Sequence, residues 1–295
     1  MNMENFYVEG YKGLQLFCTR YENKNPKAVI IIVHGMQEHS GRYVELAQFL
    51  ADNGFVVITS DSRGHGKTMK DKSEYGCGKF GDIYGESIED QLKIVEYVKA
   101  NYPNLPIYLF GHSYGSMLSQ TLVQRCPEIK KTILQGTNCG DNFLYRFGNF
   151  FAKICKAFGR DNNRGNVFEK AGTKHWNKIS GGYWLTRNEE ITKKYADDDL
   201  CGGAFPLSFY RSLTNHMIKV NKGIKKIAKH QKIMLTCGSK DPVGNFGKNV
   251  YKLFRKYEKA GVDAKIIIYA GARHELHNEI NKQEVFADIL SFYNN

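Results

Sequence analysis

Apolar and polar positions alternate along the chain in blocks that predict strands and helices in turn. The run Ala28 to His34 is almost entirely apolar, as expected for a strand that is buried on both faces of a sheet. Tyr43 to Asn53 has apolar residues at helical spacing instead, and Gly54 follows as a stop signal. This alternation of buried strand and amphipathic helix is typical of a mainly parallel sheet covered by helices.

The same reasoning predicts the other elements of an eight-stranded α/β fold. A hairpin comes first, formed by Phe6–Val8 and Leu14–Arg20 around the turn Gly10–Gly13. Further strands are predicted at Phe55–Asp61, Ile107–Phe110, Lys131–Gln135, Lys232–Cys237 and Ala264–Tyr269. Further helices are predicted at Ser87–Tyr102 with Ser87 as N-cap, and at Ser113–Arg125, Gly247–Ala260 and Gln283–Tyr293.

The alternation stops between about Asn138 and Lys229, where no strand of the buried parallel type is predicted. Aromatic residues are frequent in this segment, and both tryptophans of the chain, Trp176 and Trp184, lie in it. We predict a helical insertion over residues 138–229 that caps a core made of residues 1–137 and 230–295. The aromatic side chains fit two interpretations, ordinary core packing or the underside of a lid over an apolar pocket.

Composition narrows the class of protein. No apolar run is long enough to span a bilayer, and Met1 to Gly10 lacks the basic and apolar regions of a signal peptide, so we expect a cytoplasmic protein. The seven cysteines are scattered without any C-x-x-C pair, which argues against a disulfide framework or a zinc site. Buried free thiols are the expected outcome.

The formal net charge of +12 raises the question of an anionic partner. No nucleic-acid-binding motif accompanies the charge, so nucleic acid is not an expected partner. Six lysines and no acidic residue occupy Lys219 to Lys232. A solvated helix face or linker explains this run, and weak attraction to an anionic membrane is the functional alternative. Nothing in the sequence indicates an oligomeric state.

The segment Gly111 to Gly115 reads G-H-S-Y-G and fits the pattern G-x-S-x-G. A predicted strand runs into it and a predicted helix runs out, which is the setting of a nucleophile elbow. The glycines allow a sharp turn that exposes the Ser113 hydroxyl beside the amide groups of a helix N-terminus, where negative charge is stabilised. We predict Ser113 as a nucleophile; the alternative is an idle serine in a glycine-flanked turn.

A serine nucleophile needs a base and an orienting acid, in the chain order serine, acid, histidine. His274 follows the last predicted strand by a short loop, which places it at the same sheet edge as Ser113. His277 is the nearest rival, and three other histidines lie in or beside the predicted cap: His175, His216 and His230. Asp241 supplies the one carboxylate in the loop after Lys232–Cys237 and is the predicted acid.

Two backbone amides are predicted to bind the oxyanion. One belongs to Tyr114, directly after the nucleophile, and the other to Met36, after Gly35 in the loop that follows Ala28–His34.

Other conspicuous residues near these loops have simpler explanations. His34 and His39 resemble metal ligands, but no carboxylate cluster or cysteine pair accompanies them and a Ser–His–Asp triad needs no metal, so we expect neither metal nor cofactor. Asp61 and Arg63 are expected to hold the rigid loop Asp61–Gly66 by hydrogen bonds.

At these residues the chain resembles the monoacylglycerol lipase and lysophospholipase group of α/β-hydrolases, which includes serine aminopeptidase-like chains. The matching segments occur in family order over most of the chain: His34–Tyr43, Asp61–Gly66, Gly111–Gly115, Asp241–Pro242 and Arg273–Glu275. The first, H-G-x-x-E-H-x-x-R-Y, is characteristic of the group. Ser116 stands where many members have glycine, and Ser62 replaces a more frequent histidine or leucine.

The resemblance implies an α/β-hydrolase fold with a helical cap, a triad of Ser113, Asp241 and His274, and an oxyanion hole at Met36 and Tyr114. It also implies a serine carboxylic-ester hydrolase, and the aromatic-rich insertion suggests a substrate with a lipid-like acyl chain, such as a monoacylglycerol or lysophospholipid. Two alternatives remain. One is an aminopeptidase or other amidase, for which the acidic cluster Asp197–Asp199 could hold a substrate amine. The other is a catalytically silent binder on the same fold.

Overall fold

The computed structural model describes residues 2–140 and 143–295, in which eight strands form one sheet. The strands are β1 (Asn2–Glu9), β2 (Gln15–Glu22), β3 (Ala28–Val33), β4 (Phe55–Ser60), β5 (Ile107–His112), β6 (Ile129–Gln135), β7 (Lys232–Gly238) and β8 (Asp263–Tyr269). Their spatial order is β1-β2-β4-β3-β5-β6-β7-β8. The contacts of β2 with β1 and β4 are antiparallel and all others are parallel, as predicted.

Helices cover both faces of this sheet. Their bounds are α1 (Val44–Asp52), α2 (Ile83–Asn101), α3 (Tyr114–Arg125), α4 (Phe143–Ala157), α5 (Asn166–Ser180), α6 (Glu189–Asp197), α7 (Leu207–Val220), α8 (Lys248–Lys259) and α9 (Lys282–Asn294). The predicted helices of the core are confirmed with ends that differ by at most one residue, except at the start of α2.

The prediction that Ser87 caps α2 is wrong, because the helix begins a full turn earlier. Asp82 is the N-cap: its carboxylate accepts the backbone N–H of Gly85 at 3.4 Å. The carboxylate of Glu86 reaches back to accept the N–H of Asp82 at 3.2 Å. Together these bonds satisfy amide groups that a helix end leaves free, and Ser87 is buried inside the helix.

The continuous apolar strands are explained by burial on both faces. Alternate residues of β3 point to opposite sides: Val29 and Ile31 belong to one apolar core and Ile30 and Ile32 to another. The first core contains residues of α2, α3 and α8, and the second contains residues of α1 and α9. A one-sided strand would have shown polar residues at every second position.

Four helices, α4 to α7, lie between β6 and β7, and we call them the inserted helices. Within the described part of this segment the only strand-like pairing is an isolated bridge between Arg164 and Pro206. The prediction that residues 138–229 contain no buried parallel strand is confirmed for residues 138–140 and 143–229. No helix among the described residues combines the length and the apolar character needed to cross a bilayer.

Candidate active site

Ser113 lies in a sharp turn between β5 and α3. Its φ of 50° and ψ of −117° place the backbone in the positive-φ region that residues other than glycine rarely adopt. The N–H of Ser113 donates to the carbonyl of Gln135 on β6 at 2.9 Å and anchors the turn to the sheet. Backbone strain that is held in place like this is concentrated at functional sites.

The two glycines of the motif are required by close packing around this turn. A Cβ on Gly111 would collide with the Ser119 hydroxyl, and a Cβ on Gly115 would collide with the Val33 carbonyl oxygen on β3. Neither obstacle is the flexible end of a long side chain, so neither can move aside cheaply. The G-x-S-x-G spacing therefore has a steric cause in this structure.

His274 and Asp241 come together at the same edge of the sheet. Asp241 follows β7 and His274 follows β8, and His274 Nδ1 lies 3.0 Å from Asp241 Oδ2. The other Asp241 oxygen accepts the N–H of Val243 at 2.9 Å, which fixes the carboxylate. The second imidazole nitrogen, Nε2, is buried and has no hydrogen-bond partner among the described residues, and both His274 and Ser113 line one cavity.

Two opposing effects act on the pKa of His274. Burial favours the neutral imidazole and lowers the pKa, whereas the charge of Asp241 and its hydrogen bond raise it, and the net shift is upward. The Trp184 ring lies 5.0 Å from the imidazole and covers it. An imidazole held by a buried carboxylate suits a general base whose protonated form must be stabilised.

The loop after β3 passes close to Ser113. A Cβ on Gly35 would lie 3.2 Å from the Cβ of Ser113 and 2.6 Å from a carboxylate oxygen of Glu38, so only glycine fits. Gly35 and Met36 line the same cavity as Ser113, and Tyr114 is the first residue of α3. The oxyanion-binding role of the Met36 and Tyr114 amides stays a prediction that these positions suit.

A buried guanidinium joins the loop after β3 to the loop after β8. Arg42 Nη1 lies 2.7 Å from Glu38 Oε2, and both terminal nitrogens of Arg42 contact Glu275 at 2.6 and 2.7 Å. Burial acts to raise the pKa of Glu275, and Arg42 lowers it to about 2. The hydroxyl of Tyr43 donates to the other Glu38 oxygen at 2.6 Å. These contacts join the loop after β3 to Glu275, the residue that directly follows His274.

The cavity has a volume of about 480 Å³ and lies between the sheet edge and the inserted helices. Core residues form one wall: Gly35, Met36, Gln37, Glu38, His112, Ser113, His274 and Glu275. Residues of the inserted segment form the opposite wall: Phe147, Gly148, Phe151, Ala152, Gly165, Glu169, Gly172, Thr173, Trp176, Trp184, Leu185, Tyr195, Leu207 and Tyr210. An apolar cavity with a few convergent polar groups is the usual form of a small-molecule site.

Both interpretations of the aromatic insertion hold, for different residues. Six aromatic residues of the insertion line the cavity, as expected for a lid: Phe147, Phe151, Trp176, Trp184, Tyr195 and Tyr210. Tyr145, Phe205 and Phe209 are buried in the core instead. Three others are mostly exposed: Phe143 at 81%, Phe150 at 64% and Phe158 at 75%.

The four other histidines considered as the base have other surroundings. His277 is buried, pairs with Gln135 at 2.6 Å and stacks on Tyr43, and burial lowers its pKa to about 4. His175 is exposed, His216 contacts Asp82 at 2.9 Å, and His230 contacts the Pro127 carbonyl at 2.7 Å. None of them lines the cavity, whereas His274 does.

The scaffolding role predicted for Asp61–Gly66 is confirmed by hydrogen bonds. The Asp61 carboxylate accepts the N–H of Ser40 at 2.8 Å and of Lys67 at 2.7 Å, and Arg63 pairs with Asp90 at 2.8 Å. His34 accepts the N–H of Ser62 at 2.8 Å and is buried, so it also supports this loop.

Comparison with known proteins agrees with this geometry. The model of the family described as "Serine aminopeptidase, S33" matches residues 24–281. The chain belongs to this family. The human monoglyceride lipase is 26% identical over 277 residues, which cover 91% of this chain and 82% of that protein. The phospholipase YtpA of Bacillus subtilis (strain 168) is 25% identical over 275 residues, with 90% and 95% coverage.

Solved structures show the same architecture. A highly thermostable carboxyl esterase from Bacillus coagulans, in complex with glycerol, superposes with a TM-score of 0.90 at 25% identity, covering 100% of this chain and 98% of that chain. The chain thus has the α/β-hydrolase fold and lies in the monoacylglycerol lipase branch of that superfamily. It is a serine ester hydrolase, as the sequence motifs and the resemblance predicted.

Proposed function

We propose that the chain hydrolyses monoacylglycerol- or lysophospholipid-like esters, with Ser113, His274 and Asp241 as its triad. The observation that carries this proposal is one cavity that Ser113 and His274 both line, opposite an aromatic wall, with the buried Nε2 of His274 left without a hydrogen-bond partner among the described residues. The names of the relatives add that human and bacterial members of this group are lipases and phospholipases.

The proposed reaction has two halves. His274 Nε2 takes the Ser113 hydroxyl proton while the oxygen attacks the ester carbonyl, and the oxyanion binds the amides of Met36 and Tyr114. The proton passes to the leaving alcohol as the carbon–oxygen bond breaks, which leaves an acyl-enzyme. Water then repeats the attack with His274 as base, releases the acid and restores Ser113. Asp241 stabilises the imidazolium in both halves.

A substrate panel tests the head group and the bond type. The panel contains a monoacylglycerol, a lysophospholipid and an aminoacyl amide, each assayed for kcat/KM at the same pH. We expect both lipid esters to be turned over far faster than the amide. An amide that equals the esters would contradict the proposal and favour the peptidase alternative.

The structure weakens the specific argument for an amidase. Asp198 pairs with His39 at 2.9 Å, and the exposed Asp199 lies 3.4 Å from Lys72. Neither carboxylate lines the cavity, so the cluster Asp197–Asp199 does not offer an amine site there. The inserted helices place one carboxylate in the cavity wall, Glu169, and burial raises its pKa, which makes it a poorer partner for an amine.

Gly172 offers a clean way to test whether the cavity holds an acyl chain. It lines the cavity in α5, and a Cβ there would meet nothing within 4 Å. Gly172→Leu is therefore expected to keep the helix and fill the cavity. We expect kcat/KM on long-chain esters to fall about tenfold or more, with short-chain p-nitrophenyl acetate nearly unchanged.

Ala171→Leu is the matched control for this prediction. Ala171 precedes Gly172 in the same helix, is exposed and does not line the cavity. It should leave the chain-length profile unchanged. Equal losses on short and long esters in Gly172→Leu would show that the cavity does not receive the acyl chain.

We also propose a membrane-facing surface, on α4 and its end rather than on the lysine run Lys219–Lys232. Phe143, Phe150 and Phe158 expose most of their ring surface here, and α4 contains basic but no acidic residues. Exposed aromatics beside basic residues fit the interface of an anionic membrane. Because Phe147 and Phe151 of the same helix line the cavity, docking would bring its mouth towards the lipid.

Vesicle co-sedimentation separates the two surfaces. With phosphatidylcholine vesicles containing phosphatidylglycerol, the double variant Phe150→Ser/Phe158→Ser is expected to bind at least about tenfold more weakly than wild type. It lacks the two exposed rings whose apolar area the membrane would bury. The triple variant Lys222→Gln/Lys225→Gln/Lys226→Gln should bind nearly normally. The reverse pattern would assign membrane binding to the lysine run.

The proposal includes the predicted division of the chain. Residues 138–229 form the cap, in which Asp141 and Asn142 lie outside the described residues. Residues 1–137 and 230–295 form the core. We also propose a cytoplasmic location for the chain.

A further inference from the structure

Three side chains with metal-binding atoms meet where the core contacts the inserted helices. His39 lies in the loop after β3, and Asp198 and Cys201 lie in the turn after α6. His39 Nε2 is 2.9 Å from Asp198 Oδ2, and one ligand atom from each of the three residues lies within 4.8 Å of the others. We propose that His39, Asp198 and Cys201 form a binding site for one divalent, thiol-binding metal ion such as Zn²⁺.

The donor set selects the kind of metal. An imidazole nitrogen, a thiolate sulfur and a carboxylate oxygen are the three ligand types that Zn²⁺ takes in proteins, usually in tetrahedral geometry. Ca²⁺ and Mg²⁺ prefer oxygen ligands throughout and would reject the sulfur. Three protein ligands leave a fourth position for water, and the partly exposed side chains of His39 (15%) and Asp198 (32%) give an ion access.

The protons balance for such a site. The N–H of Gly41 donates to His39 Nδ1 at 3.2 Å, so the neutral imidazole carries its proton on Nε2 and donates it to Asp198. A metal ion at Nε2 moves that proton to Nδ1 and breaks the long bond to Gly41, whose exposed position lets water replace it. The Cys201 thiol loses its proton to solvent. Each bound ion therefore releases one proton.

Nearby groups favour an ionised carboxylate but a protonated thiol. Burial acts to raise the pKa of Asp198, but His39 and neighbouring hydrogen bonds lower it overall. Burial raises the pKa of the Cys201 thiol; the guanidinium of Arg42 opposes that shift, and the carboxylates of Glu38, Asp198 and Glu275 add to it. A coordinated metal removes the thiol proton outright, so binding is expected to strengthen as the pH rises.

An ion at this site would brace the cavity wall. His39 is two residues after Gln37, whose carbonyl oxygen accepts the N–H of Gly202 at 2.9 Å and the hydroxyl of Tyr195 at 3.1 Å. Cys201 directly precedes Gly202. The metal would therefore reinforce an existing contact between the loop that carries Met36 and the inserted helices, and we expect it to raise the melting temperature.

Cobalt absorption tests the site on the full chain. Wild type, freed of metal, is titrated with Co²⁺ and followed by the thiolate-to-cobalt charge-transfer band, with proton release measured in weak buffer. We expect one equivalent of Co²⁺, about one proton per ion, and displacement by Zn²⁺. Cys201→Ser should lose the band, whereas Cys155→Ser, which alters a cysteine in α4, should keep it.

The other two ligands are tested by affinity. His39→Gln and Asp198→Asn should each weaken Co²⁺ binding at least about tenfold, since even supporting residues of metal sites have effects of that size. Thermal unfolding of the metal-free variants checks that each one is folded. A missing band in wild type, or a band that persists in Cys201→Ser, would overturn the proposal.

Discussion

Replacing Ser113 with alanine is expected to abolish ester hydrolysis and leave the fold intact. The change removes the oxygen that we propose attacks the carbonyl, and loss of a triad serine can lower kcat by about 10⁶-fold. Alanine keeps the Cβ, so the packing around the turn is unchanged, and residual rate would come from oxyanion binding alone. Activity on p-nitrophenyl esters and labelling by a fluorophosphonate probe measure the loss.

Ser116→Ala is the matched control for this variant. Ser116 lies one turn along α3, and its hydroxyl donates to the Ser113 carbonyl at 2.6 Å. Its loss removes one hydrogen bond from the elbow but no reacting atom, so labelling and most of the activity should remain. Hydrolysis or labelling that survives in Ser113→Ala would show that the nucleophile has been wrongly assigned and would point to another reactive residue.

The second large effect is expected from Arg42→Met. Methionine preserves much of the side-chain bulk but leaves two buried carboxylates, Glu38 and Glu275, without their shared cation. Breaking a buried ion pair from one side typically costs about 3–5 kcal/mol, and we expect the free energy of unfolding to fall by about that amount at pH 7. Chemical denaturation with urea measures it.

The pH dependence of this loss follows from the pKa of Glu275, which Arg42 lowers to about 2. A carboxyl group with a depressed pKa in the folded state stabilises the protein above its unfolded pKa, and the contribution disappears as the pH falls to the folded pKa. The difference between wild type and Arg42→Met should therefore be full at neutral pH. It should shrink steadily between about pH 4.5 and pH 2.

Catalysis should respond as well, because Glu275 and Glu38 both raise the pKa of His274. Without Arg42 the negative charge of these two carboxylates is less compensated, so the pKa of His274 should rise further. The acidic limb of the kcat/KM profile should therefore move to higher pH. Arg42→Lys should restore part of both effects, since it keeps the charge but not the two-pronged contact with Glu275.

Arg125→Met is the control for burial. Arg125 pairs with Glu89 at 2.6 Å, but both side chains are exposed, and an exposed pair contributes at most about 1 kcal/mol. It should leave stability and the pH profile nearly unchanged. Equal stability of Arg42→Met and wild type, or an acidic limb that does not move, would contradict the role assigned to the buried guanidinium.

The core of this fold could be predicted because each element has a single periodicity. β3 is apolar at every position since it is buried on both faces, and helices such as α8 show one apolar stripe. With the chain order serine, acid, histidine, the ends of the predicted strands then place all three residues in loops at one edge of the sheet. Ser113, Asp241 and His274 lie at that edge in the structure, as their positions after the predicted strands required.

The inserted helices resisted prediction because their apolar residues do not form one buried stripe. In α4, Tyr145 is buried, Phe151 contributes to the cavity wall and Phe150 is exposed, so solvent, cavity and core each take part of the helix. A periodicity argument assumes one apolar side. The segment could therefore be recognised as helical and aromatic but not divided into its four helices.

Contacts between distant parts of the chain could not be predicted from the sequence either. The pair of Glu38 and Arg42 has helical spacing within the H-G-x-x-E-H-x-x-R-Y segment, which could have suggested a local ion pair, but nothing along the chain indicates Glu275 as their partner. The sequence argues against His39 as a metal ligand because no carboxylate cluster or cysteine pair accompanies it. Folding brings Asp198 and Cys201, which lie in the turn after α6, close to His39.

The loop that carries His274 is not supported by the core alone. Glu275 donates its N–H to the Leu185 carbonyl at 2.7 Å, and the Arg273 guanidinium donates to the carbonyls of Tyr183 and Thr186 at 2.6 and 3.1 Å. A chimera that received a relative's insertion would have to reproduce these backbone acceptors as well as a new binding pocket. Exchanging insertions to change specificity should therefore succeed only when the stretch from Tyr183 to Thr186 is left in place.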